Sequence, residues 1–317
     1  MTFPEVTLAQ WRAQVDKELA GASYDQALVH HTPEGIAIEP LYVGATQVAH
    51  LAHAHAPRER AFRICMRADL ADLAEHIEGG ADALWLRGGE ADIAAARDVI
   101  DPKRTVLVID SPDAASELHL PDGGVKTLLS TVAQHEAGCD AADEIAFALK
   151  AGADYLEAML TSGADLSDAV ARVALQVAVG RDTFVELAKL RALRVVWQKL
   201  VAAAGAVDAP RVVVHAVCST RTRNEADPWA DRLRVTTQVF SAVLGGADLV
   251  TPASFDDPPG TPQAPGPRVA RNTGLVLREE SYLGQVLDPA GGSYYFETLT
   301  DALAREGWRR FQKGTGA

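Results

Sequence analysis

The sequence predicts an α/β protein built as a (β/α)8 (TIM) barrel with an N-terminal arm and a C-terminal helical extension. Short apolar runs recur at 61–66, 83–86, 105–109, 125–129, 173–179, 212–214 and 247–250. Most are separated by segments of helical character, the pattern of parallel βα units. Seven runs and room for an eighth, over about 200 residues, suit a closed barrel better than an open sheet. No GxGxxG follows the first run to favour a doubly wound dinucleotide fold.

In chain order, residues 1–56 read as an arm and 57–317 as the barrel domain with its extension. An amphipathic helix fits 7–19, is stopped by Gly21, and leads into an extended stretch reaching Pro40-Leu41-Tyr42. Its Trp11 and Leu19 can pack on the arm's own domain or on a partner subunit. Asp182 caps a helix whose stripe Leu187, Leu190, Leu193, Trp197, Leu200, Val201 faces the barrel. Asp227-Pro228 reads as N-cap and first helical residue of another, stopped by Gly245-Gly246. The segment 255–267 holds five prolines and two glycines and is a loop. A helix, a turn at Asp288-Pro289 and Gly291-Gly292, and a last helix ending near Phe311 complete the chain.

Composition narrows the function. Hydrophobic residues make up 48% of 317, which excludes disorder, and a net charge of −13 argues against nucleic acid as a partner. Cys65, Cys139 and Cys218 form no CxxC pair, which suits a reducing compartment and opposes a disulfide framework or structural zinc. No secretory signal and no run near the roughly 20 apolar residues of a membrane span is present, so the expected setting is cytoplasmic.

His215 is the strongest single candidate for chemistry. The apolar run 212–214 places it where a barrel strand meets its following loop, on the face where such barrels carry their sites. There a histidine serves as general acid or as donor to a substrate carbonyl, against the alternative of an ordinary buried histidine. Cys218 follows three residues on but has no orienting third group for nucleophilic work. His50, His53 and His55 have metal-like spacing without a neighbouring Cys or carboxylate, so no metal is expected. The adjacent pairs Asp256-Asp257 and Glu279-Glu280 read as solvated charges.

The C-terminal half carries a resemblance. Ser254-Phe255-Asp256, the run Arg268-Val269-Ala270-Arg271-Asn272-Thr273, Glu279-Glu280-Ser281 and Asp288-Pro289-Ala290-Gly291-Gly292-Ser293-Tyr294-Tyr295 stand in one order. With Glu136-Ala137-Gly138, Glu144-Ile145-Ala146-Phe147, residues 184–197, Leu244-Gly245-Gly246, Glu34-Gly35-Ile36 and Pro40-Leu41-Tyr42, they resemble the methylmalonyl-CoA mutase family of adenosylcobalamin-dependent acyl-CoA mutases. The resemblance implies a barrel that takes acyl-CoA, with cobalamin across its C-terminal face supplying the radical chemistry.

It also implies that His215, twelve residues before Asp227, holds the family's catalytic histidine position. Other positions depart. Val217 stands where the family has glutamine, His135 where it has its active-site glutamine, and Ala133 where it has a histidine. Between Tyr42 and Val125 the family's CoA-channel segment has no counterpart, and Arg63 and Trp85 are placed to fill the bore. Arg221 and Arg223 are the arginines expected near the mouth, with no tyrosine beside them. No DxHxxG cobalamin-ligand motif occurs, so no cobalamin-binding domain and no bound cofactor are expected in this chain. The pattern is most like the small, non-catalytic subunit, paired with a large catalytic subunit as a heterodimer or with itself as a homodimer, acyl-CoA remaining a possible ligand. The alternative is an active isomerase whose cobalamin domain lies on a separate chain.

Overall fold

The computed structural model describes residues 6–44, 62–110, 115–224, 227–255 and 265–314. The arm begins with α1 (Leu8–Leu19), whose Thr7 cap and Gln10 satisfy each other's backbone N–H. The stretch that follows is not simply extended. It folds as α2 (Tyr24–Leu28) and an antiparallel pair, β1 (His30–His31) and β2 (Ala37–Ile38), with Gly35 at φ +81° turning the chain between them. Ile36 and Ile38 pack on the barrel's helices, and Glu34 accepts from the Ala141 N–H at 2.8 Å. Helix α1 itself buries no side chain.

The strands β3 (Arg63–Arg67), β4 (Ala83–Arg87), β5 (Val106–Asp110), β6 (Glu117–His119), β7 (Val125–Ser130), β8 (Val173–Val179), β9 (Val213–Cys218) and β10 (Leu249–Thr251) close in that order, with β10 pairing back to β3. All seven apolar runs are strands, and the eight-stranded α/β barrel is as expected. One strand breaks the regular pattern: β6 is antiparallel to both β5 and β7. Pro121-Asp122-Gly123 reverses the chain after it, with Gly123 at φ +86° and Asp122 accepting from the Gly124 N–H. No helix intervenes between β6 and β7. Leu118 points into the barrel core, and His119 is held between Glu117 at 2.9 Å and Arg97 at 3.3 Å.

Around the strands lie α3 (Leu73–Glu78), α4 (Glu90–Val99), α5 (Val132–Glu136), α6 (Ala141–Thr161), α7 (Leu166–Ala171), α8 (Thr183–Ala203), α9 (Pro228–Leu244), α10 (Gly266–Leu275) and α11 (Tyr294–Lys313). Asp182 and Asp227 cap α8 and α9 as predicted. Helix α8 packs against α6, α9 and α11, and buries Glu186, Lys189, Arg191 and Arg194 along with its apolar residues.

Apolar packing is divided by the sheet. Strand β8 is buried on both faces. Val173, Leu175, Val177 and Val179 join the cluster under the helices, whereas Ala174 joins Cys65, Ala83, Val106, Val108, Leu118, Leu128 and Leu249 inside the barrel. Trp85 packs on that inner cluster, as its size led us to expect, so the barrel axis is filled with side chains. Arg63, the other expected filler, is half-buried at the first position of β3. Among the described residues no helix is long and apolar enough to cross a membrane.

Candidate functional site

At the C-terminal ends of the strands a cavity of about 630 Å³ opens. Strand ends supply Arg67, Arg87, Asp110, Ser130 and Thr251 to its lining, and α5 supplies Val132 and Ala133. Trp85, Leu128, Gln176 and Val217, deeper in their strands, also line it. Alternation along each strand produces this set: the residues that follow the inner-core positions Cys65, Ala83, Val108 and Leu128 by two point inward again, one level higher.

His215 lies below that cavity. Strand β9 does not end at residue 214; pairing with β8 continues to Val179 and Cys218, so His215 is mid-strand and not at the strand's exit. Its ring is fully buried, with Gln176 and Leu249 as its register neighbours. The Gln176 amide donates to Nδ1 at 3.0 Å, which leaves the proton on Nε2, donating to the Thr251 hydroxyl at 2.7 Å. The Trp85 ring closes edge-on at a centroid distance of 5.5 Å. Burial, aided by the nearby Arg67 charge, lowers the imidazole pKa to about 3. The ring is neutral, and both nitrogens are occupied by protein.

His135 is placed elsewhere. It is buried in α5, with Nδ1 3.2 Å from Glu144 Oε2. The same carboxylate accepts from Lys189 Nζ at 2.6 Å, the Thr131 hydroxyl at 3.0 Å and the Ala178 N–H at 2.8 Å. Burial alone would raise the Glu144 pKa, but Lys189 and His135 outweigh it and hold the carboxyl at about 2. Lys189 is raised in turn: burial opposes its charge, and Glu144 and Glu186 prevail. This buried ionic network joins α5, α6 and α8. His135 is hydrogen-bonded to Glu144, whereas His215 is hydrogen-bonded to Gln176 and Thr251.

The other candidates are not assembled into a site. Cys218 also lines the cavity, and burial raises its thiol to about 12, which keeps it protonated at neutral pH. Arg221 donates to the carbonyls of His135 at 2.6 Å and Cys139 at 3.0 Å, and Arg223 to the Ser254 carbonyl; they brace loops. Glu279 pairs with Arg278 at 2.8 Å on the surface. His50, His53, His55 and Asp256-Asp257 lie outside the described residues, and among the described ones no cluster of three His, Cys, Asp or Glu could hold a metal ion. The sequence reading passed over Arg67, Arg87, Gln176 and Thr251. For the arginines a signal existed: each closes an apolar run, where a barrel strand reaches its mouth.

A sequence model of the family described as methylmalonyl-CoA mutase matches residues 125–315, from β7 through α11. A Mycobacterium tuberculosis (H37Rv) protein named "probable methylmalonyl-CoA mutase small subunit" is 38% identical over 250 residues, 77% of this chain and 40% of that protein. The methylmalonyl-CoA mutase small subunit of Streptomyces virginiae is 42% identical over 179 residues, 56% of this chain and 29% of its own length. The methylmalonyl-CoA mutase of Escherichia coli K12 is 34% identical over 173 residues, 54% of this chain and 24% of its own. The chain thus spans less than half the length of these relatives.

Proposed function

The chain belongs to the methylmalonyl-CoA mutase family, and from that premise we propose that it acts as a small, non-catalytic subunit stabilising a large catalytic subunit that interconverts methylmalonyl-CoA and succinyl-CoA. One observation carries the reading. The barrel axis, along which an acyl-CoA would have to pass, is filled by the inner apolar cluster and Trp85. Within that filling, below the cavity, His215 is neutral and hydrogen-bonded at both nitrogens, so it has no donor left for a substrate carbonyl. The relatives named small subunits support the same reading.

Adenosylcobalamin supplies the radical chemistry of the family, and the described residues at this mouth do not fit it. A histidine at this mouth that held the group would need an accessible ring nitrogen, whereas both nitrogens of His215 are occupied and buried His76 faces Arg271 and Asp72. We therefore assign the cofactor to the partner chain, and the partnership to a heterodimer rather than a homodimer. The arm, residues 1–56, is the natural handle, because α1 presents Leu8, Trp11, Val15 and Leu19 with no side chain buried. The barrel unit, residues 57–317, carries the rest of the interface. We place the chain in the cytoplasm as part of the same proposal.

An active isomerase using a cobalamin domain on another chain would rest on His215 alone, and the occupied ring removes that support. The test is turnover. The isolated chain, supplied with methylmalonyl-CoA, adenosylcobalamin and a cobalamin-domain protein, should form no succinyl-CoA, and when co-expressed it should co-purify with a full-length catalytic subunit. Turnover by the isolated chain would overturn the proposal.

A further inference from the structure

The cup at the barrel mouth is closed below by Trp85 and the layer of His215, Gln176 and Thr251, so a ligand in it enters and leaves by the mouth. Its volume of about 630 Å³ falls within the roughly 300–1,000 Å³ of small-molecule sites. Its charges are mixed. The carboxylates of Asp69, Asp72 and Asp110 outnumber the guanidiniums of Arg67 and Arg87, so the recess does not favour a simple anion.

Several of these groups are already engaged. Arg67 lies 4.7 Å over the Trp85 ring and has a further partner of its own. Asp72 accepts from the Asp69 N–H at 2.8 Å and stands 3.6 Å from His76 Nε2. Arg87 and Asp110 differ. They end the neighbouring strands β4 and β5 as register partners, which sets their backbones about 4.8 Å apart. Both line the cup, yet among the described residues no ion pair joins them. Asp110 uses only Oδ1, on the Ser116 hydroxyl at 3.3 Å. A guanidinium fork beside a carboxylate, neither neutralised by the other, matches a ligand that carries both charges close together.

A further polar atom faces them across the barrel. Gln176 is on β8, which stands opposite β4 in the eight-stranded ring. Its side chain is only 3% exposed and lines the cup. The amide nitrogen is spent on His215, whereas Oε1 accepts from no donor among the described residues. An acceptor so placed is costly to leave without a partner. Between the charged pair and Gln176 the lining is apolar, with Leu128, Val132, Val217 and Ala253.

We propose that the cup binds a free α-amino acid. Arg87 takes its carboxylate and Asp110 its ammonium. An apolar side chain passes Leu128, Val132 and Val217 and gives a terminal donor to Gln176 Oε1. L-tyrosine is the simplest compound of that description. The proposal goes beyond the subunit reading and does not depend on it, because the site is complete within one chain and is measured without partner or turnover.

Equilibrium dialysis of the isolated full chain against radiolabelled L-tyrosine tests it. The competitors are tyramine, which lacks the carboxylate, phloretate, which lacks the ammonium, and L-phenylalanine, which lacks the hydroxyl. Saturable binding of L-tyrosine is expected, with tyramine and phloretate each weaker by about tenfold or more, the scale of a lost charged hydrogen bond. Phloretate should be the weaker of the two, since carboxylates predominate in the cup. Arg87→Gln should weaken L-tyrosine by about tenfold or more and leave tyramine unchanged; Asp110→Asn should weaken L-tyrosine likewise and leave phloretate unchanged. Arg305→Ala, on the exposed face of α11, should change nothing. Should Asp110→Asn disturb folding, as read by its melting temperature, the exposed Arg87 still decides. No saturable binding of L-tyrosine, equal affinity for tyramine or phloretate, or indifference to both variants would overturn the proposal, and L-phenylalanine binding as tightly as L-tyrosine would overturn the Gln176 contact.

Discussion

His215 has protein partners on both ring nitrogens, and that governs how it titrates. Its pKa falls from 6.5 to about 3 in the folded chain, so the unfolded chain takes up this proton first as the pH drops. Stability that depends on the neutral ring is complete above about pH 6.5 and is lost as pH falls toward about 3. His76, also lowered by burial, adds to the upper part of that window. Glu144 acts lower, with its contribution present above 4.5 and lost as pH falls through about 2. Urea unfolding at stepped pH should therefore show stability declining from pH 6.5 to 4.5, with a shallower decline in His215→Gln; identical slopes would contradict this assignment. At neutral pH, His215→Ala removes the partner of the Gln176 amide and the Thr251 hydroxyl and opens a cavity. A loss of about 2–4 kcal/mol is expected from the unfolding midpoint.

Helix α8 explains why several residues that carry the family resemblance are needed without being near any chemistry. Arg191, fully buried, directs its fork to Asp288 at 3.0 and 2.9 Å, and reaches Glu297 at 2.9 Å and Thr300 at 2.7 Å. One side chain thus ties α8 to the Asp288–Ser293 turn and to α11. The turn is shaped for it: Gly292 sits at φ +81°, and a Cβ on Gly291 would meet the Asp288 carboxylate at 2.9 Å. Arg191→Ala removes the buried guanidinium that Asp288 and Glu297 share and should cost about 3–5 kcal/mol in chemical denaturation, whereas Arg191→Lys keeps the charge, loses the fork and should fall between. Across the α6–α8 contact, a Cβ on Gly152 would lie 2.4 Å from the Trp197 ring. Gly152→Ala should cost about 1–3 kcal/mol by overpacking, and a neutral result would mean that the two helices can separate.

At the scale of the molecule, the arm and the barrel are tied unequally. The β1–β2 pair is fastened through Glu34, Ile36 and Ile38, but α1 contributes no buried side chain. Deleting residues 1–20 should leave the melting temperature of the isolated chain within about 2 °C while weakening co-purification with a catalytic subunit; a large drop in melting temperature would mean that α1 packs on its own barrel. Much of this architecture was legible in the sequence, because seven strands are each one apolar run and the caps Asp182 and Asp227 act within a few residues of their helices. Strand β6 was not, since Glu117-Leu118-His119 offers one apolar side chain, although Pro121-Asp122-Gly123 marked its turn. His215 could be found as a position, but its state could not. Gln176 and Thr251 lie 39 and 36 residues away and meet it only when the sheet closes. The sequence by itself determined the barrel and the family, through local periodicity and motif order. Tertiary structure alone decided that the axis is filled, that His215 is silenced and that Arg67 and Arg87 face one cup, because burial and convergence depend on which strands lie side by side.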